Sequence, residues 1–117
     1  MAEFTIYHNP KCSKSREALS ILQDKSVDLE IIEYLQSPPS RATLGEFLEK
    51  ITDAPDALLR KDKRFTELGL NAEDYKTPDS VITVLQEHPE LMQRPVIIRG
   101  ARAIIARPGD RALELLD

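Results

Sequence analysis

Apolar residues fall into short strand-like runs at the two ends of this chain and recur at helical spacing between them. Phe4-Thr5-Ile6-Tyr7 reads as a first strand. It passes through His8-Asn9-Pro10-Lys11 into a helix that begins near Ser13, with Ala18, Leu19 and Leu22 on one face up to Lys25. Leu29 to Tyr34 is rich enough in aliphatic residues to be a second strand, and the βαβ connection makes the two strands parallel. Ser37-Pro38-Pro39-Ser40 breaks the chain, and Ser40 is placed to cap a helix with Leu44, Phe47, Leu48 and Ile51 at i, i+3, i+4 and i+7. A short helical turn around Ala57 to Arg60 and a loop through Leu68-Gly69-Leu70 follow. Thr77-Pro78 then predicts an N-cap with proline at the first helical position, opening a helix with Val81, Val84 and Leu85 on one face that ends before Pro89.

The last third changes character. Val96-Ile97-Ile98 and Ala103-Ile104-Ile105 predict an antiparallel hairpin turning through Arg99-Gly100-Ala101-Arg102. Pro108-Gly109-Asp110 leads into a final short helix with Leu113 and Leu116 on one side. The order βαβ, helices, ββα predicts an α/β protein of thioredoxin-like fold. Its mixed four-stranded sheet forms one domain over residues 1–117, with a helical insertion at roughly 40–90 between the two halves. In that fold a cis proline lies beside the reactive group, and Pro95 occupies the place.

One residue dominates the chemistry. Cys12 is the only cysteine of the chain and stands where the first strand gives way to the first helix. Backbone N–H groups at a helix start have no intrahelical partner and carry partial positive charge, so they stabilise a thiolate and can hold an oxyanion. Cysteines so placed have a pKa of roughly 3.5 to 7.5, against about 8.5 for a free thiol. A lone intracellular cysteine is more often a small buried hydrophobe. The surrounding His8, Asn9, Lys11, Ser13, Lys14, Ser15 and Arg16 would line a core poorly, which favours the reactive reading.

Composition narrows the field. The 117 residues suffice for one compact core, and the balance of 41% hydrophobic with 31% charged residues is that of a soluble globular protein. No basic segment with an apolar run opens the chain, no stretch approaches the ~20 apolar residues that span a bilayer, and a single cysteine cannot staple a secreted fold. A cytoplasmic protein is expected. The net charge of −4 gives no general attraction to nucleic acid or membrane, so anion binding must come from locally clustered arginines. Arg94 and Arg107 stand out, each bordering a proline at the edge of the expected sheet. His88, before Pro89, reads as structural. The carboxylates show no metal-ligand spacing with the two histidines, so no metal is expected. Cys12 to Arg16 is too short for the cysteine-x5-arginine loop of tyrosine phosphatases.

The run Ile6-Tyr7-His8-Asn9-Pro10-Lys11-Cys12 with Ser15-Arg16 resembles the active-site segment of the glutaredoxin-coupled arsenate reductases. The resemblance continues through Tyr34-Leu35, Pro38-Pro39-Ser40-Arg41, Leu58-Leu59-Arg60-Lys61, His88-Pro89, Arg94-Pro95-Val96 and Arg107-Pro108. It implies a cysteine nucleophile at Cys12 that works with three arginines, at the positions of Arg60, Arg94 and Arg107; Arg60 enters by this route alone. It also implies that His8 helps to stabilise the thiolate. A soft thiolate suits attack on arsenic, and arginine's planar fork suits the oxyanion. One cysteine cannot resolve its own arsenic adduct, so an external thiol must; the resemblance makes this glutathione, a co-substrate, followed by glutaredoxin. No tightly bound cofactor is expected, and a monomer is. The alternative is a redox-sensing regulator resembling the Spx proteins, with no arsenate turnover. Redox members of that group carry a Cys-x-x-Cys pair, and Ser15 occupies the second position here.

Overall fold

The computed structural model describes residues 3–51, 53–106 and 109–115. The chain divides into two compact units: Met1–Ser37 with Arg94–Asp117, and Pro38–Gln93.

The first unit is built on a four-stranded sheet, β1 (Phe4–His8), β2 (Leu29–Glu33), β3 (Val96–Arg99) and β4 (Arg102–Ile105), in the order β2-β1-β3-β4. β1 runs parallel to β2, with Phe4 opposite Leu29 and His8 opposite Glu33, as a βαβ crossover requires. β3 is antiparallel to both neighbours, with Tyr7 opposite Val96 on one side and Val96 opposite Ile105 on the other. The β3–β4 turn is Gly100-Ala101, and Gly100 takes the left-handed conformation (φ 58°) that glycine adopts without Cβ strain. The mixed four-stranded sheet is the one expected of the thioredoxin-like fold.

Two periodicities meet in this unit's core. Side chains alternate across a strand, so Phe4, Ile6 and His8 of β1 point to one face, and all three are buried. Helix α1 (Ser13–Asp24) answers with Ser15, Ala18 and Leu22 on its buried stripe. Phe4, Ile6, Ala18 and Leu22 pack with Ile97, Ile104, Ala106, Ala112 and Leu115 in one cluster. Burying an aliphatic or aromatic side chain of this size contributes about 1.5–3 kcal/mol.

The closing segment departs from expectation. It is a 3₁₀ stretch, Gly109–Leu115, and it buries Ala112 and Leu115 while Leu113 is exposed. With three residues per turn, positions i and i+3 eclipse, and Ala112 and Leu115 have that spacing. Leu116 and the Arg107-Pro108 pair lie outside the described residues.

The second unit is helical. Helix α2 (Arg41–Lys50) starts where the side chain of Ser40 accepts from the Thr43 N–H, and it buries Leu44 and Phe47, with Ile51 just beyond. A 3₁₀ turn follows at Pro55–Leu58. A short helix not apparent from periodicity, α3 (Lys63–Glu67), is capped by Asp62, whose carboxylate accepts from the Phe65 N–H. Helix α4 (Pro78–Glu87) opens with a reciprocal capping box between Thr77 and Ser80 and buries Val81, Ile82, Val84 and Leu85. An isolated antiparallel bridge joins Leu59, just after the 3₁₀ turn, to Met92 near the end of this unit. No helix among the described residues is long and apolar enough to cross a membrane.

Candidate functional site

The loop between β1 and α1 is a hydrogen-bonded turn of four residues. The Cys12 N–H donates to the Asn9 carbonyl at 3.0 Å, and the Lys11 N–H donates to the Asn9 side-chain oxygen at 3.0 Å. An asparagine side chain can stand in for a backbone carbonyl in this way. Cys12 is the N-cap of α1: its backbone is extended (φ −97°, ψ 122°), and its carbonyl accepts the first helical hydrogen bond, from the Arg16 N–H. The first turn of α1 contains no acidic residue, so nothing opposes the partial positive charge of the helix start.

Ser15 locks this loop to the sheet. Its hydroxyl is paired with Nδ1 of His8 at 2.6 Å and accepts from the Asn9 N–H at 3.0 Å. Ser15 is fully buried and His8 nearly so. Burial holds the imidazole below its ordinary pKa; Glu33 pulls it up and Arg16 pushes it down. His8 therefore favours the neutral form, and in this geometry it positions Ser15.

The Cys12 thiol is partly exposed. Burial pushes its pKa up, but the Ser15 N–H, a hydrogen bond from the Arg94 side chain, the Lys14 N–H and the Arg94 charge together bring it down to about 7. Arg94 reaches the sulfur because of strand register. Val96 is opposite Tyr7 in an antiparallel pair, so a residue two positions before Val96 falls beside the loop that follows His8. The Arg94–Pro95 peptide bond is cis, and the Pro95 carbonyl accepts from the Ala106 N–H at 2.9 Å.

Of the residues expected from the sequence, Cys12, His8 and Arg94 come together in the first unit. Arg60 belongs to the second, where its N–H donates to the Leu91 carbonyl at 2.7 Å and its guanidinium pairs with Asp62 at 3.0 Å. Arg107 lies outside the described residues. Ser15 and Asn9 enter the sequence reading only as polar surroundings of Cys12 and as part of the family-like segment, with no role of their own. The available signal for Ser15 was its spacing, since a serine three residues before Ala18 and seven before Leu22 sits on the apolar stripe of its helix. Among the described residues, no group of three His, Cys, Asp or Glu side chains comes together to hold a metal.

A family model described as the ArsC family matches residues 7–115. The chain is 38% identical to an arsenate reductase of Escherichia coli (strain K12) over 117 residues, covering 99% of this chain and 82% of the other. It is 35% identical over 113 residues to the uncharacterized protein YfgD of the same organism, covering 95% and 94%. Among solved structures, an arsenate reductase from Vibrio cholerae superposes with a TM-score of 0.86 at 32% identity, covering 97% of each chain.

Proposed function

The chain belongs to the ArsC family, and from that membership and the state of Cys12 we propose that it is an arsenate reductase that uses an external thiol. The observation that carries this reading is a cysteine at a helix start, hydrogen-bonded by Arg94 and drawn down to about 7. A thiol with a pKa near the ambient pH is ionised in substantial part while keeping more nucleophilicity than a strongly acidic one. Arsenate is an oxyanion of one to two negative charges near neutral pH, so the N–H groups and the guanidinium that stabilise the thiolate also suit the substrate.

In this mechanism the Cys12 thiolate attacks arsenic. A sulfur–arsenic bond forms, an arsenic–oxygen bond breaks, and the oxygen leaves as water after taking protons. Arg94 neutralises charge on the remaining oxygens, and the family resemblance gives Arg60 and Arg107 as the other substrate arginines. His8 holds Ser15, and Ser15 holds the loop on which Cys12 stands. Two electrons must then reach arsenic, and a chain with one cysteine cannot supply them as an internal disulfide. Glutathione takes that part, with glutaredoxin clearing the mixed disulfide. The sum balances: arsenic acid and two thiols give arsenous acid, one disulfide and one water.

The test is NADPH consumption by reduced protein with arsenate, glutathione, glutaredoxin and glutathione reductase. Arsenate-dependent consumption that Cys12→Ser abolishes is the expected result. No arsenate-dependent consumption by the native protein would exclude the activity.

A further inference from the structure

A cleft of about 190 Å³ opens beside the Cys12 loop, at the carboxyl ends of β1 and β2. It is lined by His8 and by Asn9, Pro10, Lys11, Glu33, Leu35 and Gln36. Every lining residue belongs to the first unit. Crevices outside the carboxyl ends of parallel strands are where open α/β sheets bind ligands. Lys11 directly precedes Cys12, so their Cα atoms are ~3.8 Å apart and the cleft adjoins the loop that carries the thiol.

The lining shows what kind of molecule fits. Lys11 contributes an ammonium and Glu33 a carboxylate, and both residues are exposed. Neither enters an ion pair among the described residues. A site with one charge of each sign is poorly matched to a small dianion such as arsenate, because Glu33 repels it. It is well matched to a zwitterion, whose carboxylate meets Lys11 and whose ammonium meets Glu33. Asn9 and Gln36 add amides able to bond a peptide group. Pro10 and Leu35 add an apolar surface, and Leu35, one of three large hydrophobic residues left exposed among the described residues, is 49% exposed.

We propose that this cleft binds the zwitterionic peptide portion of the thiol co-substrate, so that the oxyanion and the reducing thiol approach Cys12 from separate sides. The inference rests on the proposed function for the identity of the co-substrate, but its test does not involve arsenate. The probe is S-methylglutathione, which has the charges and peptide groups of glutathione and no thiol to exchange. Titrated into isotope-labelled reduced protein, it shifts the amide resonances of Asn9, Lys11, Glu33, Leu35 and Gln36 saturably. Lys11→Ala and Glu33→Gln each weaken that binding about tenfold, the scale of one lost charge-assisted hydrogen bond. Glutarate, with two carboxylates and no ammonium, binds more weakly than S-methylglutathione to the native protein. The inference is overturned if S-methylglutathione gives no saturable shift at millimolar concentration, if its shifts are confined to Lys14, Ser15 and Arg94, or if both variants bind as the native protein does. Shifts of the cleft with added glutaredoxin and none with S-methylglutathione would also overturn it. Arsenate turnover without cleft binding removes this inference alone, and cleft binding without arsenate turnover removes only the proposed substrate.

Discussion

The imidazole Nδ1 of His8 lies 2.6 Å from the hydroxyl oxygen of Ser15, and the contact joins the last residue of β1 to the first turn of α1. It exists because the two-residue period of the strand and the 3.6-residue period of the helix direct both side chains into the same interface. The same hydroxyl oxygen accepts from the Asn9 N–H, so one buried hydroxyl fixes both the start and the end of the loop that carries Cys12.

Removing that hydroxyl should loosen the loop. Ser15→Ala leaves the Asn9 N–H and the His8 nitrogen without this partner, at a cost of about 1–3 kcal/mol in stability. The Cys12 midpoint rises from about 7 toward the free-thiol value of about 8.5, because the Ser15 and Lys14 N–H groups are no longer held on the sulfur. Urea unfolding and titration of thiolate absorbance in the ultraviolet measure the two effects. A variant with native stability and a native midpoint would show that Ser15 fills space only.

Acid should weaken the fold through His8. Burial lowers its pKa from the ordinary 6.5, so the native state favours the neutral ring. The stability this contributes is fully present above pH 6.5 and is lost as pH falls through the lower native value, because the unfolded chain takes up the proton first. The urea midpoint should therefore drop between about pH 7.5 and about pH 5.5, and His8→Gln should flatten that part of the profile. Equal slopes in the two proteins would remove His8 from the acid sensitivity.

If Arg94 grips the substrate, it should act by shape as well as by charge. Arg94→Lys keeps the positive charge beside the sulfur, so the thiol midpoint stays well below that of a free thiol. It loses the planar fork, and kcat/KM for arsenate falls roughly 10- to 150-fold, the equivalent of about 1.5–3 kcal/mol. Unchanged kcat/KM in the lysine variant would mean that Arg94 serves the thiolate and does not grip the substrate.

Strong local signals make most of this architecture legible in the sequence. Phe4 and Ile6 alternate, Ala18 and Leu22 recur at helical spacing, Thr77-Pro78 announces α4, and Gly100 marks the hairpin turn. Cys12 was visible for the same reason, as a thiol where period two gives way to period 3.6. Signals failed where an element is too short to show a period. Helix α3 has five residues and one buried side chain, Phe65, so only its Asp62 cap could have marked it. The closing segment's leucines suggest α-helical spacing, whereas its 3₁₀ geometry buries Ala112 and Leu115 and exposes Leu113. Within the site, Arg94 was legible from its neighbouring proline. Ser15 was not, because its importance comes from meeting His8, a pairing that depends on how strand and helix pack. Arg60 has no local signature at all and was found only through family resemblance.

In the proposed mechanism a single thiolate forms the adduct and an external thiol completes the reduction. This mechanism is tested most directly by arsenic speciation after mixing reduced protein with arsenate. Without added thiol, the account predicts at most one arsenic adduct per chain and no continuing arsenite release; with glutathione and glutaredoxin, arsenite accumulates over many turnovers. Thioredoxin alone supports this poorly, since the chain has no disulfide of its own to offer it. Sustained arsenite release by the protein without any added thiol would contradict the account.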